Sequence, residues 1–453
     1  MRICVVGGGV AGVQAADILN QKGHEITIFD AADGPGGVWR KNYDGYALQV
    51  PSELYEFPGM RHTNQSGYFP QGRDVLAYIE RYIDERNLFT RCDFRFNEMV
   101  TGIDEGETAA WSVVTDKSTY TFDFCVMATG MYHTPNIPAE LKPYNPIHSS
   151  NFVDASCTAN KNVVVVGGGK SAIDCAVQAA KHATQVTMLV REMHWPVPRY
   201  ILGLIPFKWG TYSRLGHSLL PPHWLLTPRE RVWHDFAHSI KRFVWRLLER
   251  VFAFQFGLES RPRIPLEIDL FNGGQILTYD LRNAIRDHKI DWRTTSEMTP
   301  EDVSNILKNS DLVICGTGFK NSYGVFSARV QSKLNIESDG LWLYKNMIPP
   351  KCPNLAFIGS EVSTFNNILT QNLQSRWLAS QMQDLPSRET METYVNSEQD
   401  WKRQWMPESA SRASMIQLHM TKYHDILMDD CNVRRKKNRW WEWVLPLTAR
   451  DYE

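Results

Sequence analysis

One local pattern, written twice, constrains this chain more than any other: a short apolar strand runs into three consecutive glycines and on into a helix. In the first copy Arg2 to Val6 reads as the strand, Gly7-Gly8-Gly9-Val10-Ala11-Gly12 as the turn and Val13 to Gln21 as the helix. In the second, Val163 to Val166 is the strand, Gly167-Gly168-Gly169-Lys170-Ser171-Ala172 the turn and Ile173 to Lys181 the helix. The geometry asks something different of each small residue. One makes the tight turn, one lets the backbone approach a pyrophosphate, and one lets helix and strand pack closely. The anion then sits against the unbonded N–H groups of the helix N-terminus. Two such units predict an α/β chain with two Rossmann-like dinucleotide-binding domains.

The strands that follow distinguish the two units. Glu25 to Phe29 ends at Asp30, a carboxylate suited to ribose hydroxyls, whereas Gln185 to Val190 ends at Arg191. A guanidinium at that place clasps an additional ribose phosphate, which favours NADP(H) over NAD(H) on the second unit. Lys170 and Ser171 add to the same anion site. The binding candidates are therefore Gly7, Gly9, Gly12 and Asp30 in the first unit, and Gly167, Gly169, Lys170, Ser171 and Arg191 in the second.

At 453 residues the chain is long enough for two or three domains, and its 43% hydrophobic content supplies their cores. A formal net charge of -1 gives no general attraction to nucleic acid. Eight cysteines lie scattered without a CxxC, the pattern of free thiols in a reducing compartment; it argues against a disulfide reductase. No charged, apolar and small-residue leader opens the sequence, and no apolar run reaches the roughly 18 residues of a membrane span. The expected location is cytoplasmic. There is no GxSxG elbow and no phosphate-loop spacing. His234 and His238, four apart in HDFAH, read as an ordinary helix face, so no metal site is expected.

Further residues carry a family resemblance along nearly the whole chain. Gly36-Gly37-Val38-Trp39 after the first turn, Tyr55-Glu56-Phe57-Pro58, and Val126-Met127-Ala128-Thr129-Gly130 resemble flavin-containing monooxygenases. So do Leu312 to Phe319, with Cys315-Gly316 in place of an alanine, Asn354 to Gly359, and Gln374 to Ala379. The closing Tyr423-His424-Asp425 and Asp451-Tyr452 are similar to plant and fungal members. The resemblance implies FAD on the first unit and NADPH on the second, with O2 activated as a C4a-hydroperoxyflavin that oxygenates a small amine or sulfide. It adds Gly37, Trp39, Thr129, Gly318 and Gly359 to the cofactor-binding residues. It also implies a discontinuous FAD domain, 1–155 and 320–453, with the NADPH domain 156–319 inserted.

The sequence departs from the family at informative places. Of the signature FxGxxxHxxx(Y/F), His148 and Phe152 are present, but Lys142 and Tyr144 stand where phenylalanine and glycine belong. Phe152 replaces the tryptophan that a Baeyer–Villiger monooxygenase prefers, which leans toward oxygenation of nitrogen or sulfur. Gln49 occupies the place of the usual asparagine two residues before Pro51. Gln49 and Asn366 are the catalytic amide candidates, with Asn367 beside them. Two other functions remain open: a Baeyer–Villiger enzyme acting on a ketone, and an NADPH oxidase or redox sensor that transfers no oxygen.

Residues 192–265 form an aromatic-rich insert in the second domain. Arg229 to Phe256 reads as one long amphipathic helix, with Trp233, Phe236, Ile240, Phe243, Leu247 and Val251 at steps of three and four. The first expectation is a packed helix covering a substrate channel. The second is a peripheral membrane contact, since Arg242, Arg246 and Arg250 edge the apolar stripe. The run Arg434-Arg435-Lys436-Lys437 with Trp440, Trp441 and Trp443 reads as a solvated turn before a packed end.

Overall fold

The computed structural model describes residues 1–63, 66–106, 111–258, 260–272, 275–277, 279–360, 362–363, 366–405, 416–417, 419–433 and 440–452. The elements that position the site are, in chain order, β1 (Arg2–Val6), α1 (Val10–Gln21), β2 (Glu25–Phe29), β3 (Asp93–Arg95), β4 (Phe124–Met127), β5 (Ile147–His148) and β6 (Asn162–Val166). There follow α2 (Lys170–Ala179), β7 (Gln185–Val190), α3 (Pro228–Phe236), α4 (His238–Phe256), β8 (Ile290–Thr294), β9 (Leu312–Cys315), β10 (Leu355–Phe357), α5 (Asn367–Gln381) and α6 (Met420–Asp430).

Two five-stranded sheets result, ordered β10-β4-β1-β2-β3 and β8-β7-β6-β9-β5, and every pairing in both is parallel. In each, the strand before the glycine turn is central. The first sheet takes its outer strand β10 from beyond the whole second sheet, so the first dinucleotide fold is discontinuous and the second is inserted into it. The edge strand β5, just ahead of the second unit, joins the second sheet.

The continuous apolar runs of these strands follow from burial on both faces. Alternate residues of β1 divide between two cores: Ile3 and Val5 pack with Ala15, Leu19 and Trp377, whereas Cys4 and Val6 pack with Trp111, Val113 and Phe122. Both motif helices begin three residues before the sequence pattern suggests. Gly9 and Gly169 are extended N-caps, so the last three motif positions already lie in the first helical turn.

The insert differs from expectation in two respects. The single helix expected over Arg229 to Phe256 is two, α3 and α4, separated at Ala237, so His234 and His238 lie on different helices. Four of the six residues of the expected packed stripe face outward: Phe236, Ile240, Phe243 and Leu247 are exposed, whereas Trp233 and Val251 are partly buried and Trp245, Phe252 and Phe256 fill the core. The period is helical as read, but periodicity identifies an apolar face without saying whether anything covers it. The Arg434 to Lys437 run lies outside the described residues, as do the side chains of Trp209, Trp440 and Trp441. Trp443 is exposed.

Candidate functional site

The first glycine turn is shaped by close approach. A Cβ on Gly7 (φ +110°) would lie 2.5 Å from the Ala128 carbonyl oxygen, and one on Gly12 would lie 1.8 Å from the Gly7 oxygen. On Gly37 (φ +54°) a Cβ would come 3.0 Å from the Gly9 Cα, so the two backbones pass with no room for a side chain. Asp30, at the end of β2, accepts the Gly8 N–H at 2.6 Å and the Ala32 N–H at 2.8 Å. The α1 N-terminus has no side-chain cap at Gly9 and no acid in its first turn, which leaves an anion-sized demand there.

The second turn repeats the plan. A Cβ on Gly167 (φ +127°) would lie 2.4 Å from the Gly316 oxygen, whereas one on Gly169 would meet nothing within 4 Å. The α2 N-terminus also lacks a side-chain cap. Arg191 is exposed just past β7. Lys170 does not point freely at the turn: its ammonium pairs with Asp174 one helical turn on. Asp174 in turn accepts the Tyr43 hydroxyl at 2.9 Å.

That last bond links the two folds. The segment leaving Gly37 carries Trp39, whose indole N–H donates to the Tyr55 hydroxyl at 3.0 Å. It then reaches α2 through Tyr43 and Gly45, where a Cβ on Gly45 would lie 2.0 Å from the Gln178 amide nitrogen. Beyond it, Gln49 lines a cleft of about 290 Å³ with Pro51, Phe69, Arg199, Pro206 and Phe207 among its walls. The segment around Gln49 is pinned there by the N–H groups of Leu48 and Ser52, which donate to the Pro70 and Tyr68 carbonyls at 2.9 Å each.

Arg199 was not singled out from the sequence. Its guanidinium carbon lies 3.8 Å from the Phe69 ring centroid, and its Nε is buried without a hydrogen-bond acceptor among the described residues. Burial pushes the guanidinium below its ordinary range, with Asp280 and Asp174 opposing that shift at longer reach. The one available signal was an arginine amid the apolar text of the insert. Asn366 lies elsewhere: it is buried as the N-cap of α5, where its side chain accepts the Leu369 N–H at 3.1 Å, and it is not among the cleft walls. Asn367 opens that helix.

The linkers between the folds meet at Gly318. Its carbonyl takes the Asn136 N–H and the His148 Nε2–H, both at 2.9 Å. Ser150 N–H donates to His148 Nδ1, so the neutral ring with hydrogen on Nε2 satisfies both contacts, and burial lowers the imidazole below its ordinary pKa. Thr129 lines a second cleft, of about 430 Å³, with Gly130, Met131, Tyr323 and Phe357. Gly359 (φ +71°) donates its N–H to Gln374 at 3.1 Å and lies against Ala11 at the start of α1. Ser171 lies in the first turn of α2. All eight cysteines are free thiols.

Two parallel dinucleotide folds joined by a bridging segment define a two-cofactor oxidoreductase. The family model described as pyridine nucleotide-disulphide oxidoreductase matches residues 4–200. Across its full length the chain is 26% identical to a probable flavin-containing monooxygenase 1 of Arabidopsis thaliana, covering 96% of that protein. It is 24% identical to human flavin-containing monooxygenase 3 over 90% of this chain and 79% of that one. Among solved structures, a steroid monooxygenase bound to NADP superposes with a TM-score of 0.72 at 18% identity, over 95% of this chain and 98% of that one. An S-allyl-L-cysteine S-oxygenase from Allium sativum does so with a TM-score of 0.64 at 17% identity, over 97% and 90%. The chain is similar to flavin-containing monooxygenases along its length, and is a flavin-dependent oxidoreductase.

Proposed function

We propose that this chain uses FAD, NADPH and O2 to oxygenate a nitrogen or sulfur atom of a small molecule. The reading rests on one observation: the segment from Gly37 to Gln49 is strung from the first glycine cradle, past the second, to a cleft lined largely by apolar side chains. Both cradles suit a dinucleotide, since a Cβ would fill each turn and neither helix N-terminus carries a side-chain cap. FAD held at the Gly7 to Gly12 turn and NADPH held at the Gly167 to Ala172 turn would together supply hydride transfer and oxygen activation.

The protein's own part is to bind, orient and exclude water. Gly7, Gly9 and Gly12 let the first diphosphate reach the α1 N-terminus, and Asp30 holds a ribose edge. Gly167, Gly169 and Ser171 do the same for the second, with Arg191 on the ribose phosphate and Lys170 braced by Asp174. Thr129, Gly318 and Gly359 keep the linkers thin where cofactor and chain pass. Trp39, held by Tyr55, walls the path between cradles. Gln49 presents an amide donor in the cleft, and Pro51, Phe69 and Phe207 keep bulk water from it. The domains assigned are 1–155 with 320–453 for FAD, and 156–319 for NADPH.

The test is stoichiometry. Purified protein is supplied with NADPH or NADH and a panel of tertiary amines, sulfides and ketones, and product and hydrogen peroxide are counted per nucleotide oxidised. The reading expects NADPH to be preferred and one N- or S-oxide per NADPH with the best substrate. Peroxide in full yield whatever is added would sink it in favour of an oxidase; esters or lactones from ketones would replace it with Baeyer–Villiger chemistry.

A further inference from the structure

We infer that the Gln49 cleft takes a small molecule with a carboxylate close to its oxidisable nitrogen or sulfur, and that Arg199 binds that carboxylate. The nitrogen or sulfur rests on the oxygenation reading above; the carboxylate rests on the cleft alone. Arg199 is half-buried in the cleft wall, and its enclosed Nε has no acceptor among the described residues. The side chain makes no ion pair among them either; its guanidinium carbon rests 3.8 Å from the Phe69 ring centroid. A guanidinium keeps its charge at any ordinary pH, and a buried charge without a partner costs several kcal/mol. The Phe69 ring returns about 0.5–2 kcal/mol of that. A second arginine of the same insert shows the usual remedy: Arg214 is held by both oxygens of Asp425, at 2.7 and 3.1 Å. Among the described residues no such carboxylate meets Arg199. Asp280 and Asp174 act on it only at longer reach, and Asp174 is already taken by Lys170 and Tyr43.

The backbone holds the guanidinium in place without using its N–H groups. Phe207 N–H donates to the Arg199 carbonyl at 3.0 Å and closes the hairpin of Tyr200–Ile201 with Ile205–Pro206. Gln255 of α4 fixes that hairpin, accepting the Leu202 N–H at 3.0 Å and donating to the Tyr200 carbonyl at 2.7 Å. Phe69 is set by its neighbours, since the Tyr68 and Pro70 carbonyls take the Ser52 and Leu48 N–H groups. A charge and a planar fork of donors are thereby prepositioned in the cleft that Gln49 lines. The walls of Pro51, Phe69 and Phe207 suit an apolar body. Two sources of anion exist, a substrate carboxylate and a phosphate of the nicotinamide cofactor. The proposed place of the cofactor's diphosphate is the uncapped α2 N-terminus, and a cleft of about 290 Å³ is of the size that takes one small molecule.

Titration calorimetry on the full FAD-loaded chain, without NADPH so that no turnover enters, tests this. The probes are (methylthio)acetate and para-(methylthio)benzoate, each against its own primary amide. At least one acid is expected to bind about tenfold to a hundredfold more tightly than its amide, the worth of charged hydrogen bonds to a guanidinium. Arg199→Met should bring that acid down to the affinity of its amide. Arg199→Lys should keep part of the preference, since an ammonium holds the charge without the planar fork. The lysine variant carries the test where Arg199→Met lowers the melting temperature. Equal affinities of acid and amide in the unaltered protein overturn the inference, and so does a preference that survives undiminished in both variants. NADPH binding that weakens about tenfold in Arg199→Met while the acid keeps its advantage overturns it too, and gives the guanidinium to the cofactor's phosphate. Adding NADPH and O2 to the same probes tests the oxygenation reading separately. Peroxide in full yield from an acid that Arg199 binds would sink that reading and leave the carboxylate site standing.

Discussion

Gly316 lies against Ala172 so closely that a Cβ on Gly316 would come 2.4 Å from the Ala172 Cβ and 2.6 Å from its Cα. The first fold solves the same contact the other way round. There Ala128, at the end of β4, holds the position equivalent to Gly316, and the helix offers Gly12 in place of Ala172. In the first fold the turn itself closes the helix position, since a Cβ on Gly12 would lie 1.8 Å from the Gly7 oxygen; in the second the Ala172 methyl closes the strand position to a side chain. This accounts for the Cys315-Gly316 that departs from the family's alanine. Gly316→Ala is expected to destabilise the protein by about 1–3 kcal/mol through overpacking against backbone that cannot move. Adding Ala172→Gly should restore part of the loss, since it removes the nearer contact and leaves the Cα. Chemical denaturation of the two variants measures both.

Arg191 is exposed at the end of β7 and forms no ion pair among the described residues. If it clasps a ribose phosphate, Arg191→Ala should raise the KM for NADPH about tenfold to a hundredfold, the worth of one or two charged hydrogen bonds. The KM for NADH should scarcely move. Equal losses with both nucleotides would remove the arginine from phosphate recognition.

The two glycine turns and their strands were legible because backbone sterics leave few sequences able to make such turns, whereas the insertion of one fold into the other came from the family resemblance alone. Strand ends at Phe29 and Val190 were readable for the same reason. What the sequence withheld was tertiary. The break at Ala237 carries no proline or glycine, and alanine is the best helix former, so nothing in the local sequence marks it. Exposure of Phe243 and burial of Trp245 depend on which face meets Leu219, whose carbonyl takes the Trp245 indole N–H at 3.0 Å. Arg199 gained interest only once Phe69 and Gln49 were beside it. Asn366 and Gln49 looked alike as text; one caps a buried helix and the other lines a cleft.

Gln49 is expected to control how oxidised NADPH divides between product and peroxide. Gln49→Ala should lower product per NADPH about tenfold by removing one polar contact near the reacting atoms, with flavin reduction unchanged. Gln49→Asn keeps the amide on a shorter arm and should fall between. The two yields together separate loss of the group from loss of reach. A Gln49→Ala protein with full coupling would show that the cleft is not where oxygen is transferred.

Three buried histidines make the contact between α6 and the insert sensitive to acid. Burial holds His217 and His424 down at about 3 and His419 at about 4, against an ordinary 6.5. Their surroundings add positive charge: Arg214, paired with Asp425 at 2.7 Å, faces His217 and His424. Lys241, whose pKa burial lowers to about 8, sits with His234 near His419. With folded values below the unfolded one, the unfolded chain binds more protons under pH 6.5. Stability is therefore present above that pH and is lost as pH falls from 6.5 toward 4, at up to about 1.4 kcal/mol per pH unit for each histidine. His419→Gln keeps a donor for the Pro221 carbonyl, which the ring now contacts at 2.6 Å, and removes the titration. Urea midpoints between pH 7.5 and 5 should fall less steeply in that variant, by about one proton's slope; parallel curves would mean that His419 takes no part in acid sensitivity.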